Sequence, residues 1–261
     1  MIVAKELCKR YGSRDILMNI NLSVQRGEVL GVIGPNGCGK STLMKLLSGA
    51  EKPTKGTVEI NGKFIKSYKQ RELAQTLAVL PQEAIPEIGF TVREIIEMGR
   101  YPFQNWLGEE TKNTFQEESI VDQTIEILAL KHIVNQTIEN ISGGERQRVA
   151  LGKVMAQDPT VLMLDEPTTY LDIGHQLQMM EAVKRWQQDK ELTVVVILHD
   201  LNIASMYCDR LVLMQDGKIQ TIGEPAEVIK EETIASVYDT EPIVIDHPRR
   251  TVSPQIILDP Q

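Results

Sequence analysis

The stretch Gly34-Pro35-Asn36-Gly37-Cys38-Gly39-Lys40-Ser41-Thr42 constrains this chain more than any other, because it fits G-x-x-x-x-G-K-[ST]. In such a loop the glycines let backbone N–H groups turn inward around phosphate oxygens, Lys40 reaches β- and γ-phosphates, and Ser41 ligates Mg²⁺. A nucleoside triphosphate is the ligand this chemistry suits. Chance would produce the pattern in roughly one chain in a hundred of this length, and the flanks lower those odds. Glu28-Val29-Leu30-Gly31-Val32-Ile33 is a short apolar run suited to a buried parallel strand entering the loop. Beyond it, Leu43, Leu46 and Leu47 fall at helical spacing and Gly49 stands at the expected C-cap.

The bulk properties leave room for one large α/β core, since 261 residues suffice without disulfide or metal staples. Three cysteines, Cys8, Cys38 and Cys208, are far apart and odd in number, so reduced thiols in a cytoplasmic protein are expected. The N-terminus carries no basic segment followed by an apolar stretch, and no run of about 18 apolar residues occurs. The expectation is a chain neither secreted nor membrane-spanning. A net charge of −8 argues against a nucleic-acid partner.

Two short strands are expected at the start, around Ile2 to Leu7 and Ile16 to Val24, separated by the turn-like Tyr11-Gly12-Ser13. They predict an antiparallel β-layer. The apolar runs Leu77 to Leu80, Val161 to Leu164 and Val194 to Leu198 read as buried parallel strands. Between about Val92 and Ala156 the period becomes helical, with Val92, Ile95, Ile96 and Gly99 on one face and Val121, Ile125 and Leu128 on another. A helical subdomain over approximately 90–157, inserted in the α/β core, is therefore predicted. Tyr101 to Thr114 lacks periodicity and reads as an irregular linker.

Further motifs complete the chemistry. The strand ending in Asp165-Glu166-Pro167 places two carboxylates at its carboxyl end, where α/β ligand sites form. Asp165 suits Mg²⁺, and Glu166, one residue on, suits orienting or deprotonating a water that attacks the γ-phosphate. Ser142-Gly143-Gly144-Glu145 reads as a capping box starting a helix, continued by Leu151, Val154 and Met155. Capping explains Ser142 and Glu145 but not two glycines that weaken helix entry. A glycine-lined helix N-terminus is an anion site, a second one about 100 residues beyond the first. A dimer with nucleotide at its interface would let both serve one triphosphate. Asp200 reads as the N-cap of a helix through Ala204.

Together GPNGCGKST, ISGGERQR, VLMLDEP, the glutamine of LPQE and the histidine of VVILHD resemble an ABC-transporter ATP-binding subunit over nearly the whole chain. The resemblance implies a P-loop NTPase core with a mainly parallel sheet, an N-terminal antiparallel β-layer and an inserted helical subdomain. Residues 1–261 would form a single ATP-binding domain, with 224–261 as a C-terminal tail. It also implies ATP and Mg²⁺ as ligands, and a head-to-tail homodimer in which Ser142, Gly143, Gly144 and Glu145 of one copy close on ATP held by the other. By the same resemblance Gln82 touches Mg²⁺ or the attacking water, His199 contacts the γ-phosphate, Tyr11 stacks on adenine, and Asp172 crosses the dimer interface. Tyr170 is bulky where many members carry a small residue, and Glu145 replaces the commoner Gln.

With no membrane span of its own, such a subunit would work at the cytoplasmic membrane face with separate permease subunits and, indirectly, a substrate-binding protein. Phe90 to Glu94, Met98 to Phe103, Leu171 to Gln176 and the tail from Gly223 to Pro248 are similar to importers of iron chelates, haem and cobalamin. Ferric-siderophore import is the favoured expectation, with haem and cobalamin as alternatives. A non-transport ABC ATPase would need a long coiled coil between phosphate loop and signature, and sustained heptads are absent there. An ATP-binding regulatory module is disfavoured by intact Glu166, Gln82 and His199. A P-loop kinase gives no reason for the second glycine-lined helix start.

Overall fold

The computed structural model describes residues 1–82, 85, 89–104, 119–169 and 171–258. It divides into two compact units, one joining Met1–Tyr68 to Gln187–Gln261 and the other comprising Lys69–Trp186. The first unit opens with strands β1 (Ile2–Tyr11), β2 (Arg14–Val24) and β3 (Val29–Ile33), helix α1 (Lys40–Leu47), and strands β4 (Lys55–Ile60) and β5 (Lys63–Phe64). The second unit contributes α2 (Gln70–Thr76), β6 (Leu77–Leu80), α3 (Val92–Glu97), α4 (Ile120–Ile127), α5 (Gly143–Ala156), β7 (Val161–Asp165) and most of α6 (Ile173–Lys190). The chain then returns to the first unit through β8 (Thr193–Ile197), α7 (Leu201–Tyr207), β9 (Arg210–Gln215) and β10 (Lys218–Gly223). It ends in α8 (Pro225–Val228), α9 (Glu231–Tyr238), β11 (Pro242–His247) and β12 (Arg250–Leu258).

In the first unit, β1 and β2 form the expected antiparallel layer, joined across β1 by β4 and then β5. Both strands run closer to the turn than their apolar patterns indicate. Register shifts between Ala4 and Leu7, with Glu6 at φ 50°, mark a bulge there, so the buried residues step from Ala4 to Leu7 instead of alternating strictly. Strand β3 lies between parallel partners β8 and β9, with Val29 opposite Val194 and Leu30 opposite Arg210. Every residue of β3 and β8 is buried, as continuous apolar runs require when both faces are covered. The carboxyl ends of these neighbouring strands deliver the phosphate loop and His199 respectively, at the end of a parallel sheet where ligands bind. Helix α1 buries Leu43, Met44, Leu46 and Leu47 and ends before Gly49, whose φ of 75° fits the left-handed C-terminal position.

In the second unit, β6 and β7 pair in parallel, Leu77 opposite Val161 through Leu80 opposite Leu164. Helix α5 is the centre of the helical part. Its Gly152 lets Ile96 and Leu128 close in, since a Cβ there would stand 3.2 Å from both side chains. Gly99 lies on the backbone of α5, where a Cβ would collide with the Lys153 carbonyl. Arg100, buried beside it, donates through Nη1 to Ala156 O at 2.8 Å and stacks 4.2 Å over the Phe103 ring. Arg93 on α3 reaches Asp122 on α4 at 2.5 Å. Part of the stretch expected to be irregular is a 3-10 helix, Met98–Phe103, held by these contacts; residues 105–114 of it lie outside the described residues, as does Tyr170.

The segment from Glu224 is folded where sequence periodicity indicates no element. Glu224 and Glu227 form a capping box around Pro225, Val228, Ile229, Ile234 and Val237 are buried, and β11 pairs with β12 as an antiparallel hairpin. Among the described residues no helix is long and apolar enough to cross a membrane. Because the obstacle at Gly99 is backbone, Gly99→Ala is expected to lower stability by about 1–3 kcal/mol in chemical denaturation. An unchanged midpoint would contradict the close approach.

Candidate active site

In the first unit the phosphate loop is built from backbone conformations that exclude side chains. Gly34, Gly37 and Gly39 have φ of 145°, 78° and 108°. A Cβ on Gly34 would collide with the Met214 carbonyl, and one on Gly39 would stand 2.7 Å from Leu17 Cδ2 and 3.2 Å from Ile16 O. Gly37 faces open space, so only its dihedral demands glycine. Helix α1 begins at Lys40 with no side chain capping its first turn. Its leading N–H donors and positive dipole end are thus directed into the loop. The Lys40 side chain is buried, and its ammonium donates to Gly34 O at 2.8 Å and Pro35 O at 3.0 Å, seated over the loop. Burial pushes the Cys38 thiol above its ordinary pKa, which keeps it a neutral filler beneath the loop.

Tyr11 projects at the surface, 46% exposed. Its hydroxyl donates to Glu51, and the Lys9 ammonium lies 4.8 Å from the ring centroid while pairing with Glu51 at 2.9 Å. One face of the ring carries a cation, and the exposed ring offers a stacking surface for a base. The hydrogen bond from Tyr11, followed by that from Lys9, lowers the pKa of Glu51. His199 follows β8 at the surface, and Asp200 caps α7 as its sequence context predicts, accepting from Asn202 N at 2.8 Å and Ile203 N at 3.0 Å.

In the second unit, Asp165 ends β7 and Glu166 turns away from it in the left-handed region, φ 54°. For a residue with a Cβ that conformation costs about 1–2 kcal/mol, and it gives the adjacent carboxylates different directions. Glu166 is 9% exposed. Its Oε2 accepts from Gln82 Nε2 at 2.5 Å and from Thr169 Oγ1 at 3.3 Å. The fold therefore brings Gln82 and Glu166 together across 84 residues of sequence. Thr169 is a partner that the sequence motifs do not reveal.

The capping box at α5 is present. Ser142 N donates to Glu145 Oε2 at 2.8 Å, Glu145 N donates to Ser142 Oγ at 3.3 Å, and the Ser142 contacts lower the Glu145 pKa. His132 Nε2 lies 3.3 Å from the other Glu145 oxygen. Neither Gly143 nor Gly144 has a positive φ, and a Cβ on Gly143 would meet nothing within 4 Å. The fold of the chain itself does not require these glycines. A Cβ on Gly144 would stand 3.6 Å from the His175 ring, which is held by Asp172 Oδ2 at 2.8 Å; Asp172 also caps α6 by accepting from His175 N at 2.9 Å. Asp172 and the signature thus share His175 as a neighbour. The i, i+3 spacing of Asp172 and His175 is the one sequence signal that could have indicated it.

No group of three or more His, Cys, Asp or Glu side chains able to hold a metal occurs among the described residues.

The family model described as ABC transporter matches residues 17–169. The ABC transporter ATP-binding protein YvrA of Bacillus subtilis is 40% identical over 258 residues, covering 99% of this chain and 58% of that protein. The chain thus spans less than two thirds of that relative's length. The petrobactin import ATP-binding protein FpuC of Bacillus anthracis is 39% identical over 92% of this chain and 88% of its own. Among solved structures, an ATP-binding cassette of an ABC transporter in its ADP conformation superposes with a TM-score of 0.79 at 26% identity, covering 92% of this chain and 98% of that one. With its phosphate loop, capped glycine pair and paired Gln82 and Glu166 in place, the chain belongs to the ABC transporter family, as an ATP-binding cassette whose chemistry is ATP hydrolysis with Mg²⁺ as partner ion.

Proposed function

We propose that this chain is the ATP-hydrolysing subunit of an importer for a ferric siderophore, acting as a homodimer on separate permease subunits at the cytoplasmic membrane face, with a substrate-binding protein supplying cargo. The observation that carries the dimeric reading is the pair Gly143 and Gly144 at the capped start of α5, where the backbone of one chain does not demand glycine. A head-to-tail partner holding ATP in its phosphate loop would present the anion this N-terminus suits. The siderophore reading is supported by the relative named for petrobactin import and by the motifs Phe90 to Glu94 and Leu171 to Gln176. Haem and cobalamin remain the alternative cargoes, because an ATPase of this kind meets the permease and not the cargo.

In this reading residues 34–42 hold the triphosphate, with Lys40 on its outer phosphates and Tyr11 against the base. Ser41 and Asp165, with Gln82 alongside, would hold Mg²⁺, which when bound would neutralise charge on the β- and γ-phosphates. Glu166 accepts a proton from the attacking water, and Gln82 and Thr169 fix the carboxylate so that little reorganisation accompanies the step. His199 contributes a donor to the γ-phosphate. Ser142, Gly143 and Gly144 of the second copy, with Glu145 as their cap and Asp172 at the interface, close the other side. The region between Gln82 and Ser142 is the one on which the permease would dock.

Glu166→Gln should lower turnover about 10²- to 10⁴-fold while ATP remains bound, measured as phosphate release beside nucleotide retention; unchanged turnover would remove Glu166 from the reaction. Lys40→Ala should instead weaken ATP binding itself, and wild-type affinity by direct titration would contradict the cradle.

A further inference from the structure

Glu51 lies in the first unit between α1 and β4, in a stretch where no sequence motif falls. Its N–H donates to Lys45 O at 3.0 Å, in the last turn of α1, and its Oε1 lies 3.8 Å from Lys45 Nζ. Backbone and side chain thus both tie Glu51 to the helix that leaves the phosphate loop. The other carboxylate oxygen, Oε2, accepts from the Tyr11 hydroxyl and pairs with the Lys9 ammonium at 2.9 Å. Lys9 is held from a second side as well, donating to Lys52 O at 2.9 Å, and its side chain is only 13% exposed.

These contacts restrict a ring that would otherwise be free to change rotamer. Tyr11 is the last residue of β1 and is exposed, so burial does little to choose its orientation. The bond from its hydroxyl to Glu51 fixes the tip of the ring, and the Lys9 ammonium, 4.8 Å from the centroid, takes one face. The same bond, ahead of burial, holds the Tyr11 phenol above its ordinary pKa, so the hydroxyl keeps its proton and goes on donating. A flat side chain ordered before its ligand arrives loses less entropy when the ligand stacks on it.

We propose that Glu51 is a positioning residue of the base platform: its carboxylate holds the Tyr11 hydroxyl and the Lys9 ammonium together, orders the ring and registers it to α1. Glu51 thereby sets the affinity for the nucleoside part of ATP and not for its phosphates. This rests on the reading that Tyr11 lies against the base, and Glu51 acts through Tyr11. The role has a signature that other roles lack. A surface ion pair alone would contribute little to any ligand, and a disturbed α1 would weaken every ligand that binds through phosphates.

The test is steady-state hydrolysis by the full chain, with ATP as substrate and inorganic triphosphate, which has the phosphates without a base, as competing inhibitor. Glu51→Ala should raise the KM for ATP about three- to tenfold. It should leave kcat at saturating ATP and the inhibition constant of inorganic triphosphate close to wild type. Tyr11→Phe keeps the ring and removes the hydroxyl, so the double variant should match Glu51→Ala alone, both changes breaking one tether. An unchanged KM in Glu51→Ala, an equal weakening of inorganic triphosphate, or additive effects in the double variant would each overturn the assignment. Tyr11→Ala run in parallel separates the two readings, since loss of the stacking ring should raise KM at least about fivefold. If it keeps the wild-type KM, Tyr11 is not a base platform and the underlying reading fails; if it raises KM while Glu51→Ala is silent, only the positioning role fails.

Discussion

Backbone N–H groups converge on an anion only where the chain passes through conformations closed to most side chains, and Gly34, Gly37 and Gly39 do so within six residues of one another. Everything else in the first unit serves that constraint. Strand β3 is buried on both faces so that the loop leaves the sheet at a fixed point, and Leu17 and the Met214 carbonyl press on Gly39 and Gly34 so closely that no larger residue fits. The protein carries a net charge of −8, so its overall field repels a triphosphate. Affinity must then come from local groups: the uncapped start of α1, the inward N–H groups and the buried Lys40 ammonium.

The second unit applies the same economy of means to the reaction. Glu166 is a poor choice for a left-handed residue on conformational grounds, yet it occupies that region with its carboxylate held by Gln82 and Thr169. Strain of this kind persists only when surrounding contacts over-determine it, and it is concentrated at working sites. The glycines of the signature make the opposite point. Neither Gly143 nor Gly144 has a positive φ, and an added Cβ would meet nothing within 4 Å at Gly143 and only ordinary contact with the His175 ring at Gly144, so the backbone of the chain does not demand glycine at either.

Much of this was legible in the sequence because it depends on short-range chemistry. The apolar runs that became β3, β6, β7 and β8 were read within a residue or so, and in β3 and β8, where every residue is buried, a strand covered on both faces has no other composition available. The capping box at Ser142 and Glu145 and the cap at Asp200 were likewise local and were found in place. The bulge at Glu6 was not legible, because the pattern of apolar residues does not reveal where an extra residue is accommodated. Nor was the folding of the tail, where short elements such as α8 present too few turns to establish a period. Long-range partners were hidden for a different reason. Thr169 on Glu166 and His175 against Gly144 are set by where the chain returns, which spacing along it does not encode.

The central claim is that phosphate loop and signature act on one nucleotide from different copies of the chain. It is tested most directly by mixing two inactive variants, Lys40→Ala and Gly144→Asp, each of which spoils both sites of its own homodimer. In a heterodimer both lesions fall in the same composite site and the other site is intact. An equimolar mixture should therefore recover hydrolysis, up to about a quarter of wild-type sites if subunits pair at random, while either variant alone stays silent. If the mixture is as inactive as its components although heterodimers form, loop and signature do not serve one nucleotide across two copies, and the account is wrong.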